Sequence, residues 1–401
     1  MRRSRLLQGL LGALSTSCVL FSCSTAHAYA WMIKHGFAEC GSCHTDPSGG
    51  ETLTHMGRVA ADQFLSWGGD RGIDPRAHSQ FSFGAVGEPS DIRLGGSYRH
   101  MFLYTAPDAG TPGEAAQFPM QVDVYGSGSV GDLFVFGASL GVARGIEGSA
   151  HVRGAQLNRE LGQGWIVLSR SHFIGARLDR ETLLRAGRLN LPFGLRVSEH
   201  VLWVREATRT DRESDQQHGL ALAYTKGPLR AEGMVVLGNF QLYPDRYRER
   251  GYSASAEYLL ADTLAVGLSS LITRSNEDRF TQARQAVRHA HGMHARWGLS
   301  PLWALLGEAD VLKEEGRGLG YTALVQADYE PLRGVHIMLT GEALDLGALD
   351  LGAVSPGNGE PRVGAWASAN WHFYSHFDLR LDILKRRASP FTVQAQLHMY
   401  L

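Results

Sequence analysis

Past its first thirty residues, this 401-residue chain has no long hydrophobic run. No stretch there approaches the ~18–20 apolar residues that a membrane helix needs, so helical spans are excluded. Charge of one sign is missing too. The balance is 39 basic against 40 acidic residues, net −1, with no long charge run, which excludes a strongly basic nucleic-acid binder; no nucleic-acid partner is expected. Cysteine is scarce, at four residues, which argues against a disulfide scaffold, and composition also excludes collagen-like and disordered classes. There is no repeat of ~40–50 residues of the kind a propeller requires. No nucleophile–base grouping or phosphate loop of a conventional hydrolase or transferase stands out. What is plentiful is glycine, 48 residues spread along the chain together with the aromatics, a leaning toward many short strands.

The first thirty residues read as an address. Arg2, Arg3 and Arg5 precede an apolar stretch from Leu6 to Phe21, and Ala26-His27-Ala28 and Ala28-Tyr29-Ala30 each offer a small-x-small cleavage site. This is the pattern of a secretory signal peptide, with an N-terminal membrane anchor as the alternative. Cleavage after Ala28 or Ala30 removes Cys18 and Cys23, leaves Cys40 and Cys43, and makes the mature chain slightly acidic. Export places the protein outside the cytoplasm of a bacterium.

The two remaining cysteines stand in Cys40-Gly41-Ser42-Cys43-His44, the attachment spacing of a c-type haem. Two thiols add to the two vinyl groups of one haem, and the imidazole that follows is the proximal iron ligand. One covalent haem is therefore the expected cofactor, with Cys40, Cys43 and His44 as its binding residues. The alternatives are a Cys40–Cys43 disulfide and a zinc half-site, but zinc wants four ligands and no second cysteine pair exists. Asp46-Pro47-Ser48-Gly49-Gly50 is a turn cluster. Leu53, Met56, Val59, Ala60 and Phe64 then recur at helical spacing behind Thr52, a candidate cap, and form a stripe expected to lie against the porphyrin. Met56 is the first candidate for the distal iron ligand, with His35 and His55 as competitors and a residue from the following domain, or no sixth ligand, as further options. The segment 31–75 is short for a free-standing haem protein, since small chains bury too little surface to be stable alone. Something else must cover the haem edge.

After a linker at 76–90, residues 91–401 alternate apolar and polar with period two, the mark of strands with one apolar face. Phe377, Leu379, Leu381 and Ile383 oppose Asp378, Arg380 and Asp382; Tyr321, Val325 and Tyr329 oppose Thr322, Gln326 and Asp328. A row of Asp, Arg and Asp is costly in a dry core and cheap against a wet lumen. Strands are expected near 92–104, 117–127, 132–144, 164–176, 181–190, 217–225, 230–239, 251–260, 263–273, 286–298, 301–312, 319–329, 333–343, 362–373, 377–386 and 391–401. The even-numbered connections read as tight turns, as at Gly227-Pro228 and Ser300. The odd-numbered ones run longer, as at 145–163, 191–216, 240–250, 274–285 and 344–361. Short turns at one end and long loops at the other mark an outer-membrane barrel. The expected fold is all-β, an antiparallel barrel of about sixteen strands set in outer-membrane lipid, with a short α-helical haem segment in front. Trp165, Trp203, Trp297, Trp303, Trp366 and Trp371 lie near proposed strand ends as candidates for aromatic girdles or simple packing. The loop 191–216 either folds into the lumen and narrows it or stays outside as a solvated loop.

Export signal, one CxxCH at Cys40 to His44, a short helix near Gly57-Arg58 and about sixteen strands together cover nearly the whole mature chain. In this it resembles the fused monohaem cytochrome–porin family of bacterial outer-membrane iron oxidases. The resemblance implies electron transfer from extracellular Fe(II), or another redox substrate, inward to a periplasmic c-type cytochrome. Cys40 and Cys43 would be the thioether residues and His44 the proximal ligand. The chain departs from its relatives in the turn at 46–50 and in Met56, where they tend to carry an aromatic. Outward electron flow to extracellular acceptors, and a passive porin with a haem-bearing plug, are the competing readings. Asp211, Glu213, Glu277, Asp278, Glu314 and Glu315 are acidic loop residues at which a ferrous ion could dock.

Overall fold

The computed structural model describes residues 29–50, 52–67, 80–89, 91–107, 112–144, 165–212, 214–242, 245–315, 317–347 and 361–401, with the side chains of 142–144 and 165–169 excepted. The leader, Cys18, Cys23, Glu213, the loop 145–163 and the Trp165 side chain lie outside the described residues.

Sixteen antiparallel strands close on themselves. In chain order they are β1 (Ile92–Thr105), β2 (Glu114–Val130), β3 (Phe134–Arg144), β4 (Trp165–Arg177), β5 (Thr182–Leu189) and β6 (Gln217–Lys226). Next come β7 (Leu229–Gly238), β8 (Arg250–Ala261), β9 (Leu264–Arg274), β10 (Val287–Ser300) and β11 (Trp303–Glu314). The last are β12 (Leu319–Leu332), β13 (Val335–Asp345), β14 (Arg362–Tyr374), β15 (Phe377–Arg386) and β16 (Thr392–Tyr400). Each strand pairs with its sequence neighbours, and β1 closes on β16 through a register that sets Ser97 opposite Tyr400 and Arg99 opposite His398. The strands expected from alternation all form, within a few residues of their expected ends. Ser300 belongs to β10, so that turn is Pro301-Leu302 rather than Ser300.

The faces are inverted relative to a water-soluble protein. Leu379, Leu381 and Ile383 on β15, Val325 on β12 and Leu339 on β13 are exposed, while Asp378, Asp382, Asp328 and Glu342 are buried. A contiguous apolar exterior with polar residues inside is the surface of a barrel that spans lipid. Trp297, Trp303 and Trp371 are exposed at the tight-turn end, where Trp303 stacks on Tyr329 at 4.4 Å, as an interfacial girdle requires. Trp203 and Trp366 do not join them. Both are buried inside, because Trp203 rides on the inward loop and Trp366 falls on a lumen-facing position of β14.

Among the described residues, two segments fill the lumen. The connection between β5 and β6 turns inward and carries a short helix, α2 (Trp203–Thr208), packed on β11, β12 and β13; the external-loop alternative is thereby excluded. The second is the segment 29–67, which begins with a 3-10 turn (Ala30–His35) seated on β10 and β11. It continues through a helix, α1 (His55–Ala60), that widens into a π turn at Ala61–Leu65. Trp31, Met32, Phe37 and Leu65 of this plug share one apolar cluster with Leu195 and Leu202 of the inward loop and Leu324, Met338 and Trp366 of the wall. Gly334 shows how closely the plug is held. It turns the chain between β12 and β13 at φ 77°, and a β-carbon there would lie 2.4 Å from the Leu65 carbonyl oxygen.

Charge fastens what shape alone would leave loose. Lys34 donates to Asp328 and pairs with Glu330, His35 bonds Glu330 at 2.8 Å, and Arg58 holds Glu88 at 2.5 Å. Arg185 on β5 reaches both Asp46 of the plug and Glu232 of β7. In the row that looked costly from sequence, Arg380 pairs with Glu199 of the inward loop at 2.6 Å and with Asp382 on its own strand at 2.9 Å, and Asp378 bonds His398 of β16 at 2.9 Å. Such partners are the condition under which a buried charge is tolerated.

Candidate functional site

Residues Cys40–Ser42 form a 3-10 turn. The amides of Cys43 and His44 both donate to the Cys40 carbonyl, at 3.1 and 2.9 Å. A three-residue pitch sets positions i and i+3 over one another, so Cys40 and Cys43 start the same short rung and His44 follows directly. No disulfide joins the two cysteines, both among the described residues. Burial pushes the Cys43 thiol up to about 12 and raises Cys40 as well.

The motif is strapped in place by backbone and short polar side chains. Thr54 N–H donates to the Cys43 carbonyl at 2.8 Å, Thr45 N–H to the Thr52 carbonyl at 3.0 Å, and the Thr54 hydroxyl to the Ser42 carbonyl at 2.7 Å. The Thr54 oxygen also accepts from Gly57 N–H at 3.1 Å, so Thr54 rather than Thr52 caps α1; Thr52 lies too far before the first turn to reach its amides. Gly57 is required there, since a β-carbon would come within 2.3 Å of the Cys43 carbonyl oxygen. In the turn that follows the motif, Asp46 accepts from the amide and hydroxyl of Ser48 at 2.8 and 2.7 Å while holding Arg185.

The apolar stripe expected along α1 divides. Leu53 and Ala60 are buried, whereas Met56 and Phe64 are exposed, Met56 at 45%. The inward face instead uses Gly57, Arg58, Ala61 and Leu65. The widened turn at Ala61–Leu65 shifts the phase of the helix, which a fixed 3.6-residue period does not anticipate.

Cys43 and His44 border one cavity inside the barrel. The plug supplies one side, with Leu53, Gly57, Ala61 and Leu65. The strands supply another, with Ser97, Tyr125, His398 and Tyr400, and Arg196 and Arg212 come from the inward loop. Cys40 borders an adjacent space walled by Arg230, Glu232, Glu257 and Arg296, and the two spaces have Tyr29 and Arg196 in common. A larger cavity shares Tyr29, Arg99, Ser198 and His398 with the first and extends to Asp211, Asp215 and Phe280 among the long loops. The site therefore lies next to a cavity that reaches the long-loop end of the barrel. Met56 and His55 line a different space, toward β2 and β3, that His44 also borders. His35 is engaged by Glu330.

The acidic loop residues are mostly committed to ion pairs. Asp278 and Glu314 both bind Arg209, at 2.6 and 2.8 Å. Asp211 bonds His200 at 2.8 Å and Glu277 pairs with Arg246; Glu315 is exposed. Among the described residues no group of three or more His, Cys, Asp and Glu converges to hold a metal ion. Sequence reasoning did not find Arg196, Arg212 or His398 at the cavity. Their only sequence signal was an inward position on a strand or a place in a long loop, shared with dozens of other residues.

No protein-family model and no curated protein matches the sequence. Solved barrels do resemble the structure. OmpTdeltaL8, a loop L8 deletion mutant of the outer membrane protein OmpT of Vibrio cholerae, aligns with a TM-score of 0.55 at 10% identity, covering 77% of this chain and 99% of its own. OmpF of Salmonella typhi, solved in complex with daunomycin, aligns at 0.54 and 10% identity over 77% and 97%. An anion-selective porin from Comamonas acidovorans aligns at 0.54 and 11% identity over 77% and 99%. The likeness is one of fold: a closed porin-type barrel.

Proposed function

We propose that this chain is an outer-membrane electron-transfer protein of the fused cytochrome–porin type, exported by its leader and carrying a single covalent c-type haem. Cys40 and Cys43 would hold the haem, and His44 would be its proximal ligand. The observation that carries the reading is that Cys43 and His44 of the one haem-attachment motif border a cavity inside a membrane barrel, away from bulk water. The residues present fit the group. Gly57 lets the helix pass against the motif, Leu53, Ala61, Leu65, Tyr125 and Tyr400 offer apolar contact to a porphyrin face, and Arg196 and Arg212 offer charge to its two carboxylates. When bound, the haem supplies one-electron redox chemistry tuned by its axial ligands and its burial.

The chain's own part is to hold this site in an insulating layer. Extracellular Fe(II) gives up one electron and leaves as Fe(III), and the electron passes to the ferric haem of a periplasmic c-type cytochrome. The long-loop cavity offers the ferrous ion an approach, and the plug keeps bulk water from the motif. Cys43 is 1% exposed in the packed plug, so attachment belongs to the exported chain before the plug packs. The competing reading, a passive porin with the segment 29–67 as its plug, is compatible with the porin-type barrel, and the haem measurements below separate the two.

The test uses the full-length protein purified from membranes and placed in lipid vesicles. We expect haem staining to stay with the denatured chain, and ferrous iron to reduce the haem absorbance. Cys43→Ala is expected to lose most covalent haem while keeping a heat-modifiable barrel. A wild-type chain without covalent haem overturns the reading; a haem that dithionite reduces and ferrous iron does not overturns the donor.

A further inference from the structure

We infer that His398, on the last strand of the barrel, is the second axial ligand of the haem that Cys40, Cys43 and His44 would bind; the inference rests on the haem reading above. His398 and His44 border the same cavity from separate parts of the fold, one on the wall and one on the plug. Strand alternation points His398 inward, and its register on β1 sets it opposite Arg99 and beside Ser97. A flat group held between plug and wall would meet an imidazole from each.

The imidazole is already oriented as a metal-binding histidine is. Its Nδ1 lies 2.9 Å from Oδ2 of Asp378 on β15, and its Nε2 lies 3.1 Å from the Ser97 hydroxyl, which also borders the cavity. A carboxylate at Nδ1 fixes the proton there and leaves Nε2 as the acceptor; its partner is the Ser97 hydroxyl at the cavity wall, the one hydrogen bond that ligation would replace. Carboxylate–histidine pairs of this kind set the tautomer and raise the basicity of ligating histidines. His398 is 7% exposed, so water competes little for that position.

The other candidates are placed less well. Met56 and His55 share a second space with His44 but are both exposed to solvent, and His35 is taken up by Glu330. Tyr29 also faces the cavity, but its ring is held in a stack on Trp31 at 4.9 Å, and a phenol is a poor iron ligand beside an imidazole.

Wild-type protein and the variants His398→Ala, His398→Met and Met56→Ala are compared as full-length, membrane-extracted barrels selected by heat-modifiable migration. Covalent haem is measured by pyridine haemochrome, and ligation by electron paramagnetic resonance and near-infrared magnetic circular dichroism. Wild type and Met56→Ala are expected to give the low-spin signature of two imidazoles. His398→Ala is expected to keep its covalent haem, turn high-spin and return to low-spin on adding imidazole, while His398→Met shifts the near-infrared band to that of a thioether. Covalent haem with an unchanged spectrum in the folded His398 variants overturns the ligand alone, as does a high-spin wild type. A wild type without covalent haem overturns both readings.

Discussion

The ammonium of Lys34 sits 2.6 Å from Oδ2 of Asp328, and neither side chain exposes any surface. One partner belongs to the first turn of the plug and the other to β12, 294 residues later. Glu330 adds a second carboxylate 2.9 Å from the same nitrogen, and Nδ1 of His336 donates to the other Asp328 oxygen at 3.0 Å. The plug is thus bolted to the barrel by a charge that water cannot reach.

Removing only the cation is expected to be severe. Lys34→Met leaves Asp328 and Glu330 facing each other without it, and breaking a buried pair from one side costs about 3–5 kcal/mol. The barrel should still form, since its ladder is unchanged. Limited proteolysis should show residues 29–67 newly cleaved while heat-modifiable migration persists, and Lys34→Met with Asp328→Asn should recover part of the protection. Full protection in the single variant would mean that the pair does not hold the plug.

That pairing also marks where sequence reading stopped. Strand alternation is local, so Asp378, Arg380 and Asp382 could be placed on an inward face from their own neighbours, and sixteen strands followed. The attachment motif is local as well. Which charge meets which is decided by the closure of the whole barrel, and Lys34–Asp328 or Arg185–Asp46 carries no signal in either segment alone. The direction of the loop after β5 was open for the same reason: Leu195, Leu202 and Trp203 are apolar enough to enter the lumen, but only the packed interior shows what receives them. The cap fell on Thr54 because the motif's own backbone, through the Cys43 carbonyl, fixes where the helix begins.

A filled lumen predicts an electrically quiet barrel. Sixteen strands enclose an aqueous channel when the interior is open, but here the plug and α2 occupy it. In planar bilayers the full-length protein is expected to conduct far less than a variant lacking residues 31–67, which should approach the conductance of an open porin. Equal conductance would show that the plug does not obstruct the pore.

The contact between α1 and the attachment motif is tight enough to test with one methyl group. Gly57→Ala puts a carbon within 2.3 Å of the Cys43 carbonyl oxygen, and the backbone shift that relieves it should cost about 1–3 kcal/mol. Covalent haem per chain is expected to fall while the barrel stays folded. Gly233→Ala on β7, where a β-carbon meets nothing within 4 Å, should leave both unchanged and serves as the control.

Acid should loosen the long-loop end before the barrel itself. Arg209, from the inward loop, binds Asp278 and Glu314 and reaches Glu249 at 3.3 Å, drawing three connections together over the lumen. Burial alone would raise Glu249, but the guanidiniums of Arg288 and Arg209 outweigh it and hold its carboxyl at about 2, against an ordinary 4.5. Asp278 is likewise raised by burial and brought well below its usual range by Arg209. Both carboxyls are depressed in the folded state, so their contribution is complete above about 4.5 and is lost as pH falls toward 2 and below. Hydrogen exchange of residues 275–286, corrected for the intrinsic rate, is expected to show protection at pH 6 that declines through that window. Arg209→Gln should lack the protection already at pH 6. Protection unchanged down to pH 2 in the wild type, or retained in the variant, would show that another contact closes this end of the barrel.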